Sequence, residues 1–362
     1  MGFDEGLGGC LKFSRTISRV ISFTERSQYA AIALSSLLGL QDHSLSPLPL
    51  VRDKRLMKQR LGSAGISVPN FVSVGPRQPG ISADEIVERV GLPCVIKPAS
   101  GMGCFNTRLA RSLRDLRAAL NDWASNFSSG QLIIEAFQSG DEFHVDALWQ
   151  DGRPIAFAIS KYLVPVLSVS DPRSNNASYV IREDHDPLLY REVESLHRRV
   201  NDALGLRRGV THMEFFRDES SLIVVSEVAA RFAGAMIPEA FGYATGFDAR
   251  MLYVDLLFGS DYTFDAGMGV GSATVGWTTL SPGKSGYLSG TQETLDALAL
   301  HSSVLECRIV RRDGEFVDPW SNPSQANVID AVITASSPEG FREVVANLSQ
   351  SFPIQVKALD LN

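Results

Sequence analysis

Leu92-Pro93-Cys94-Val95-Ile96-Lys97-Pro98, followed at once by Ala99-Ser100-Gly101-Met102-Gly103-Cys104, is the stretch on which the fold turns. A short apolar run between two prolines reads as a buried strand, and Lys97 stands at its end. The glycines that follow let backbone N–H groups approach an anion closely, and a fixed ammonium beside them neutralises it. The segment therefore reads as a phosphate site. Its spacing is not Gly-x-x-x-x-Gly-Lys-Ser/Thr, which excludes a P-loop. Taken alone, a strand-end lysine beside a turn glycine is more often an ordinary surface lysine.

Upstream, Arg19–Thr24 reads as a short strand and Glu25–Leu40 as a helix closed by Gly39. Ser44–Leu50, with Pro47 and Pro49, reads as a linker. Asp53 N-caps a helix over Lys54–Ala64, ended by Gly65, before an extended segment from Val68. Downstream, strands are expected at Phe105–Ala110, Leu132–Glu135, Glu142–Gln150 and Pro154–Tyr162, with a hairpin turn at Asp151-Gly152. A helix runs from Ser112 to about Asn126. Residues 168–178 form a polar loop. A helix at 187–204, strands at 210–216 and 222–227, and a helix at 247–258 follow. The last hundred residues mix strands (273–280, 304–311, 329–334) with a helix at 338–350. This order predicts an α+β fold in place of a regularly wound parallel sheet.

Composition bounds the function. Of 362 residues, 44% are hydrophobic and 21% charged, as in a folded globular chain. Lys and Arg number 34 against 41 Asp and Glu, a net charge of −7. That argues against a general nucleic-acid binder, whose affinity comes from neutralising phosphates. Residues 1–60 hold nine basic and five acidic residues, a balance of +4, which leaves −11 for the rest. The four cysteines, Cys10, Cys94, Cys104 and Cys307, form no Cys-x-x-Cys pair, so neither a zinc site nor a disulfide scaffold is expected. No apolar run reaches the ~18 residues of a membrane span, and no signal peptide is read at the start. A cytoplasmic location is the expectation.

Glu214 and Glu227 lie on two strands joined by the turn Asp218-Glu219-Ser220. A two-residue loop sets Glu214 opposite Val225, with Glu227 two positions further along the same face. A four-residue loop pairs the two glutamates directly. In either register the carboxylates share a face, with Cβ atoms about 5–8 Å apart. Two carboxylates so placed repel unless a cation lies between them, and Mg²⁺, which takes carboxylate, phosphate and water oxygens, suits the position. The alternative is two glutamates on a solvent face. Glu135-Ala136-Phe137, with Glu142 seven residues beyond Glu135, has two readings as well. It is a loop with surface acids, or a nucleoside site in which Glu135 and backbone groups read the adenine edge and Glu142 takes the ribose hydroxyls.

In order and spacing, Asp53-Lys54, Lys97 with its glycine loop, Glu135 with Glu142, Glu214, and Glu227 with Arg231 resemble the ATP-grasp superfamily. The resemblance runs from about Glu25 to Gly259. Its most telling segments are Asp53-Lys54 through Ala64-Gly65-Ile66-Ser67-Val68-Pro69, the Leu92–Pro98 run, and Ser226-Glu227-Val228-Ala229-Ala230-Arg231-Phe232-Ala233-Gly234. Thr211-His212-Met213-Glu214 and Ala244-Thr245-Gly246-Phe247-Asp248 resemble the carboxylate–amine ligases that make dipeptides and other amides.

The resemblance implies two α+β lobes gripping ATP, with ATP and Mg²⁺ as cofactors. Lys54 and Lys97 would grip the phosphates beside Gly101 and Gly103. Glu135 with the Ala136 and Phe137 backbone would form the adenine hinge, and Glu142 would bind the ribose. Glu214 and Glu227 would hold the metal. Arg231 would bind the carboxylate substrate or its acyl phosphate, and His212 would steady the transferred phosphoryl group. The implied organisation is a shortened N-terminal segment (1–52), an ATP-grasp domain (53–262, small lobe about 90–160) and a C-terminal α+β subdomain (263–362). The partners would be a small carboxylate and an amine, amino acids or their derivatives, with no nucleic acid or membrane; a homodimer is compatible with this.

Three positions depart from the pattern. Ala229 replaces the asparagine usual two residues after the second metal glutamate. Cys104 replaces the serine usual after the phosphate loop's last glycine, and a thiol is the poorer donor. The N-terminal α/β domain usual before the Asp-Lys motif is longer than the 52 residues here. An ATP-dependent carboxylase of the biotin carboxylase type and a non-catalytic nucleotide-binding subunit are the alternative functions.

Overall fold

The computed structural model describes residues 17–40, 47–75, 80–126, 130–168, 176–258, 271–320 and 326–357. The first helices among the described residues are α1 (Glu25–Leu37), α2 (Leu48–Arg52) and α3 (Lys54–Ser63). Asp53 caps α3 by accepting a hydrogen bond from the Arg55 N–H. Then come β1 (Phe71–Val74), α4 (Ala83–Val90), β2 (Cys94–Pro98), β3 (Arg108–Ala110), α5 (Leu113–Asn126) and β4 (Leu132–Ala136). These strands form an antiparallel sheet in the order β1-β4-β2-β3. Alternation along β2 sorts its side chains. Cys94 and Ile96 join Ile86, Leu116, Leu132 and Ile134 in one core cluster. Val95 and Lys97 face the other way, into a cleft.

The second sheet is built from β5 (Asp141–Gln150), β6 (Arg153–Tyr162), β7 (Ala177–Ile181), β8 (Gly209–Arg217) and β9 (Ile223–Ala229), with β10 (Thr274–Leu280), β12 (Val304–Ile309) and β14 (Ile329–Ala335). Its order is β12-β14-β10-β7-β6-β5-β8-β9, and every neighbouring pair is antiparallel. Strands from the last hundred residues thus extend the sheet that carries Glu214 and Glu227. A three-stranded sheet pairs β11 (Gly286–Leu288) with β13 (Phe316–Val317) and β15 (Val356–Lys357). The remaining helices among the described residues are α6 (Pro187–Leu204), α7 (Ile237–Thr245), α8 (Ala249–Phe258), α9 (Thr291–Ala299) and α10 (Pro338–Ser351). One face of β5 and β8 presents Phe143, Val145, Met213 and Phe215 to a core shared with Met57 and Leu61 of α3 and Val193 and Val200 of α6. The alternate residues, Glu142, His144, Asp146, His212 and Glu214, lie on the opposite face. None of the described helices is long and apolar enough to cross a membrane.

Several elements differ from the sequence reading. Arg19–Thr24 is not a strand. Residues 48–52 are helical in spite of Pro47 and Pro49, because both fall at the helix start, where a missing N–H leaves nothing unbonded. Helix α4 escaped the sequence reading, although its capping box, Ser82 with Glu85, is a sequence signal. Helix α7 is apolar and interrupted by Gly242, which hides its period. Of the polar loop at 168–178, residues 169–175 lie outside the described residues.

Close sheet packing gives a first test. A Cβ at Gly276 of β10 would lie 2.1 Å from the Ser178 carbonyl oxygen and 2.7 Å from the Tyr179 Cα of the neighbouring strand. Gly276→Ala should therefore cost about 2–3 kcal/mol in urea unfolding; an unchanged midpoint would show that the β7–β10 pairing is looser than described.

Candidate active site

The loop between β2 and β3 closes one wall of a cleft between the two sheets. Gly101 approaches Pro98 so closely that a Cβ would lie 3.2 Å from the proline Cβ. Gly103, Cys104 and Asn106 all adopt left-handed backbone angles (φ 56, 55 and 55). Burial pushes the Cys104 thiol up to about 12, helped by the charges of Glu214 and Glu142, so it stays protonated. The loop is tied to α3, where the Lys54 N–H donates to the Ala99 carbonyl at 2.9 Å.

Three lysines converge on the cleft. The Lys54 ammonium donates to the Gly101 carbonyl at 2.7 Å and pairs with Glu227 Oε1 at 2.8 Å. Lys97 pairs with Glu135. Lys58, one helical turn after Lys54 and fully buried, lies 3.1 Å from Glu135 Oε2 and donates to the Ser226 carbonyl. Burial lowers the Lys58 pKa to about 8 against the pull of Glu135. At Lys97 burial also opposes the charge, but Glu135, Glu227 and Glu214 outweigh it and hold the pKa above its ordinary value.

The facing carboxylates owe their position to a bulge. The loop between β8 and β9 spans residues 218–222, since Arg217 pairs with Ile223, Phe216 with Val224 and Phe215 with Val225. That register alone would set Glu214 opposite Ser226 and turn Glu227 to the far face. The register shifts by one residue at this point, and Glu214 pairs directly with Glu227. Ser226 is the extra residue, and its carbonyl is the one that Lys58 holds. The expectation of a two- or four-residue loop was therefore wrong in mechanism, while the shared face it predicted is present.

The negative charge here is unevenly met. Lys54 and Lys97 outweigh burial and hold Glu227 down to about 2. Glu142, whose Oε2 accepts from the Val166 N–H at 2.7 Å, is pushed up to about 8 by burial first and then by Glu214. A cation between Glu214 and Glu227 would relieve that repulsion, so the donor set fits Mg²⁺.

Behind Glu214 runs a buried relay. The Asp146 carboxylate bridges His144 Nδ1 at 2.7 Å and His212 Nδ1 at 2.9 Å. His144 Nε2 lies 2.7 Å from Ser178 Oγ, and His212 Nε2 lies 3.4 Å from Glu214 Oε1. These hydrogen bonds use the ring nitrogens that a metal in the His144, Asp146 and His212 cluster would need. Burial lowers the His212 pKa, but Asp146 and Glu214 outweigh it and raise it from 6.5 to about 9. Its charged form is the stabilised one. That contribution is complete below about pH 6.5 and is lost as pH rises through about 9. Stability should fall by about 3 kcal/mol across this window, and Asp146→Asn should flatten the fall. Parallel pH profiles from urea unfolding would contradict the coupling.

Apart from His212 and Arg231, every residue assigned a binding or catalytic role from the sequence lines this one cleft: Lys54, Lys97, Gly101, Gly103, Glu135, Ala136, Phe137, Glu142, Glu214 and Glu227. At Arg231 burial opposes the charge, but Glu25 first, and then Glu227 and Glu214, outweigh it and raise the pKa. The hinge differs in detail from the sequence reading. The Glu135 carboxylate is engaged by Lys97 and Lys58. The Ala136 N–H donates to Asn70 and the Phe137 N–H to Pro93. Gln138 follows them on the cleft wall. Ala229 pairs with His212 across the strands. Lys58, Asp146 and His144 were missed. Lys54 and Lys58 share a helix face at i and i+4, and Glu142-x-His144-x-Asp146 alternates with apolar residues; those were the available signals.

A smaller antiparallel sheet bearing a lysine and a glycine loop, set over a larger sheet bearing opposed glutamates, defines the ATP-grasp fold. Residues 90–239 match the ATP-grasp domain family, so this stretch of the chain carries an ATP-grasp domain. It is 30% identical over 222 residues to an L-arginine-specific L-amino acid ligase of Bacillus subtilis, covering 60% of this chain and 52% of that protein. It is 24% identical over 215 residues to a D-alanine–D-alanine ligase of Bacteroides fragilis, covering 57% of this chain and 63% of that one. The chain thus spans about half to two-thirds of these relatives' length. In structure it resembles an L-amino acid ligase from Bacillus licheniformis, with a TM-score of 0.75 and 18% identity over 98% of this chain and 84% of the other.

Proposed function

We propose that this chain is an ATP-dependent ligase that joins a carboxylate to an amine, with release of ADP and phosphate. A carboxylate oxygen attacks the γ-phosphorus of ATP, the bond to the bridging β–γ oxygen breaks, and ADP leaves. The amine then attacks the carbonyl carbon of the acyl phosphate, the bond to the phosphate oxygen breaks, and an amide and inorganic phosphate result. The proton lost by the amine passes to phosphate or solvent.

Positioning and electrostatics carry such a transfer. Lys54 and Lys97 would hold the phosphates beside Gly101 and Gly103, and the hinge at Glu135–Phe137 with Glu142 would hold the nucleoside. Mg²⁺ held by Glu214 and Glu227 would offset charge on the phosphate oxygens. Arg231 would receive the carboxylate and its acyl phosphate, and charged His212 would steady the transferred group. Residues 53–262 would carry this chemistry, flanked by 1–52 and 263–362.

The observation that carries the reading is the direct pairing of Glu214 with Glu227 in the cleft that Lys54 and Lys97 line. Amino acids or their derivatives are the proposed substrates, in keeping with the names of the relatives. The test is an ADP-release screen over pairs of amino acids, with product mass detection. The expected result is ADP formation that needs both an acid and an amine and yields a mass equal to their sum less one water. ADP release that needs bicarbonate and gives no amide would replace this reading with a carboxylase. ATP binding without phosphate release would replace it with a nucleotide-binding subunit.

A further inference from the structure

Helix α1 contributes a buried carboxylate to which the reading above gives no role. Glu25, its first residue, is 6% exposed. Its Oε2 accepts from Arg231 Nη2 at 2.9 Å, and its Oε1 accepts from Arg52 Nη1 at 3.0 Å. Arg52 in turn donates from Nη2 to the Ser100 carbonyl at 2.9 Å, at the start of the glycine loop. One turn along the same helix, Gln28 donates to the Ala230 carbonyl at 3.0 Å. Arg231 makes one further bond, from Nη1 to the carbonyl of its neighbour Phe232. Among these contacts Glu25 is the group that fixes the far end of the guanidinium. One carboxylate here faces two guanidinium groups, so the cluster keeps a net positive charge after pairing.

We infer that Glu25 is a positioning residue: it aims Arg231 at the acyl phosphate and, through Arg52, ties that aim to the loop that holds the ATP phosphates. This rests on the proposed role of Arg231. A guanidinium held at Nη2 by a buried anion and at Nη1 by a backbone carbonyl offers its remaining N–H groups in a fixed direction, which suits recognition of a phosphate. The pairing spans 206 residues of sequence, so α1 belongs to the site although it lies well before the glycine loop. Glu25→Gln keeps the shape but removes the charge, and its amide N–H₂ would face one guanidinium donor to donor.

The test needs no knowledge of the substrate. Inorganic phosphate is titrated calorimetrically into the MgADP-saturated full chain, in wild type, Glu25→Gln, Glu25→Asp and Arg231→Ala, with MgADP affinity measured separately. Glu25→Gln should weaken phosphate binding at least about tenfold, the scale of one lost charge-assisted hydrogen bond. Its MgADP affinity should stay within about threefold, well short of that loss. Glu25→Asp, which keeps the charge, should fall between wild type and Glu25→Gln. If Arg231→Ala loses phosphate and Glu25→Gln does not, the positioning role is overturned while the reading of Arg231 stands. If Arg231→Ala binds phosphate as wild type does, or wild type binds none, the reading of Arg231 fails and the inference with it. If Glu25→Gln loses MgADP and phosphate equally, Glu25 is a structural residue and the inference is overturned.

Discussion

Glu227→Gln should abolish ADP release while the protein stays folded. The substitution keeps the size of the side chain and removes one negative charge. Glu227 is ionised at neutral pH, since Lys54 and Lys97 hold it down to about 2 against burial. Its carboxylate serves two partners in the proposed site: Lys54 at 2.8 Å, and the cation that would sit between it and Glu214. An amide oxygen still accepts from Lys54, but the buried ammonium loses its counter-charge, so the unfolding midpoint should fall while the protein stays folded. The anionic metal ligand is lost, and a neutral amide oxygen holds a divalent cation far more weakly. A fall in turnover of about 10³-fold or more is expected, the scale seen when a preorganised electrostatic contact to a transferring group is removed. Full activity in this variant would sink the metal assignment.

The second large effect is expected at Lys58→Met. Methionine fills much of the same volume but leaves the Ser226 carbonyl without its donor and Glu135 with Lys97 as its remaining partner. An unsatisfied buried carbonyl and a weakened buried ion pair should together cost about 2–3 kcal/mol in urea unfolding. Activity should fall by more than stability explains. The carbonyl that Lys58 holds belongs to the bulged residue that sets Glu227 opposite Glu214, and an error of one residue there would turn Glu227 away. The double variant Lys58→Met/Glu135→Gln also strips buried Lys97 of its partner carboxylate, so it should be less stable than the single variant and recover none of the turnover. Wild-type ADP release in the single variant would show that the bulge holds without Lys58.

What the sequence disclosed follows physical range. Strand β2 with Lys97 and the glycine loop was legible because apolar run, lysine and glycines are contiguous, and their meaning is local. The shared face of Glu214 and Glu227 was legible from the period of two, but the route to it was not. The loop has an odd number of residues, and the bulge at Ser226 restores the pairing that such a loop would break. A bulge stabilised by a lysine 168 residues away leaves no mark in the strand itself. The same holds for Glu25. The sequence reading gave Glu25 no role beyond opening a helix, and its pairing with Arg52 and Arg231 exists only once the chain is folded. Glu135, expected to read a base, lines the cleft with its carboxylate engaged by lysines. Its carboxylate organises Lys97 and Lys58, because a buried acid on the same face as a buried lysine pairs with it before it can read a base.

The central claim is that the acid is activated as an acyl phosphate, and oxygen labelling tests it most directly. With the acid substrate labelled with ¹⁸O in its carboxylate, turnover with ATP and the amine should place one labelled oxygen in the inorganic phosphate released, with ADP as the nucleotide product. Unlabelled phosphate, or label recovered in AMP, would contradict the account.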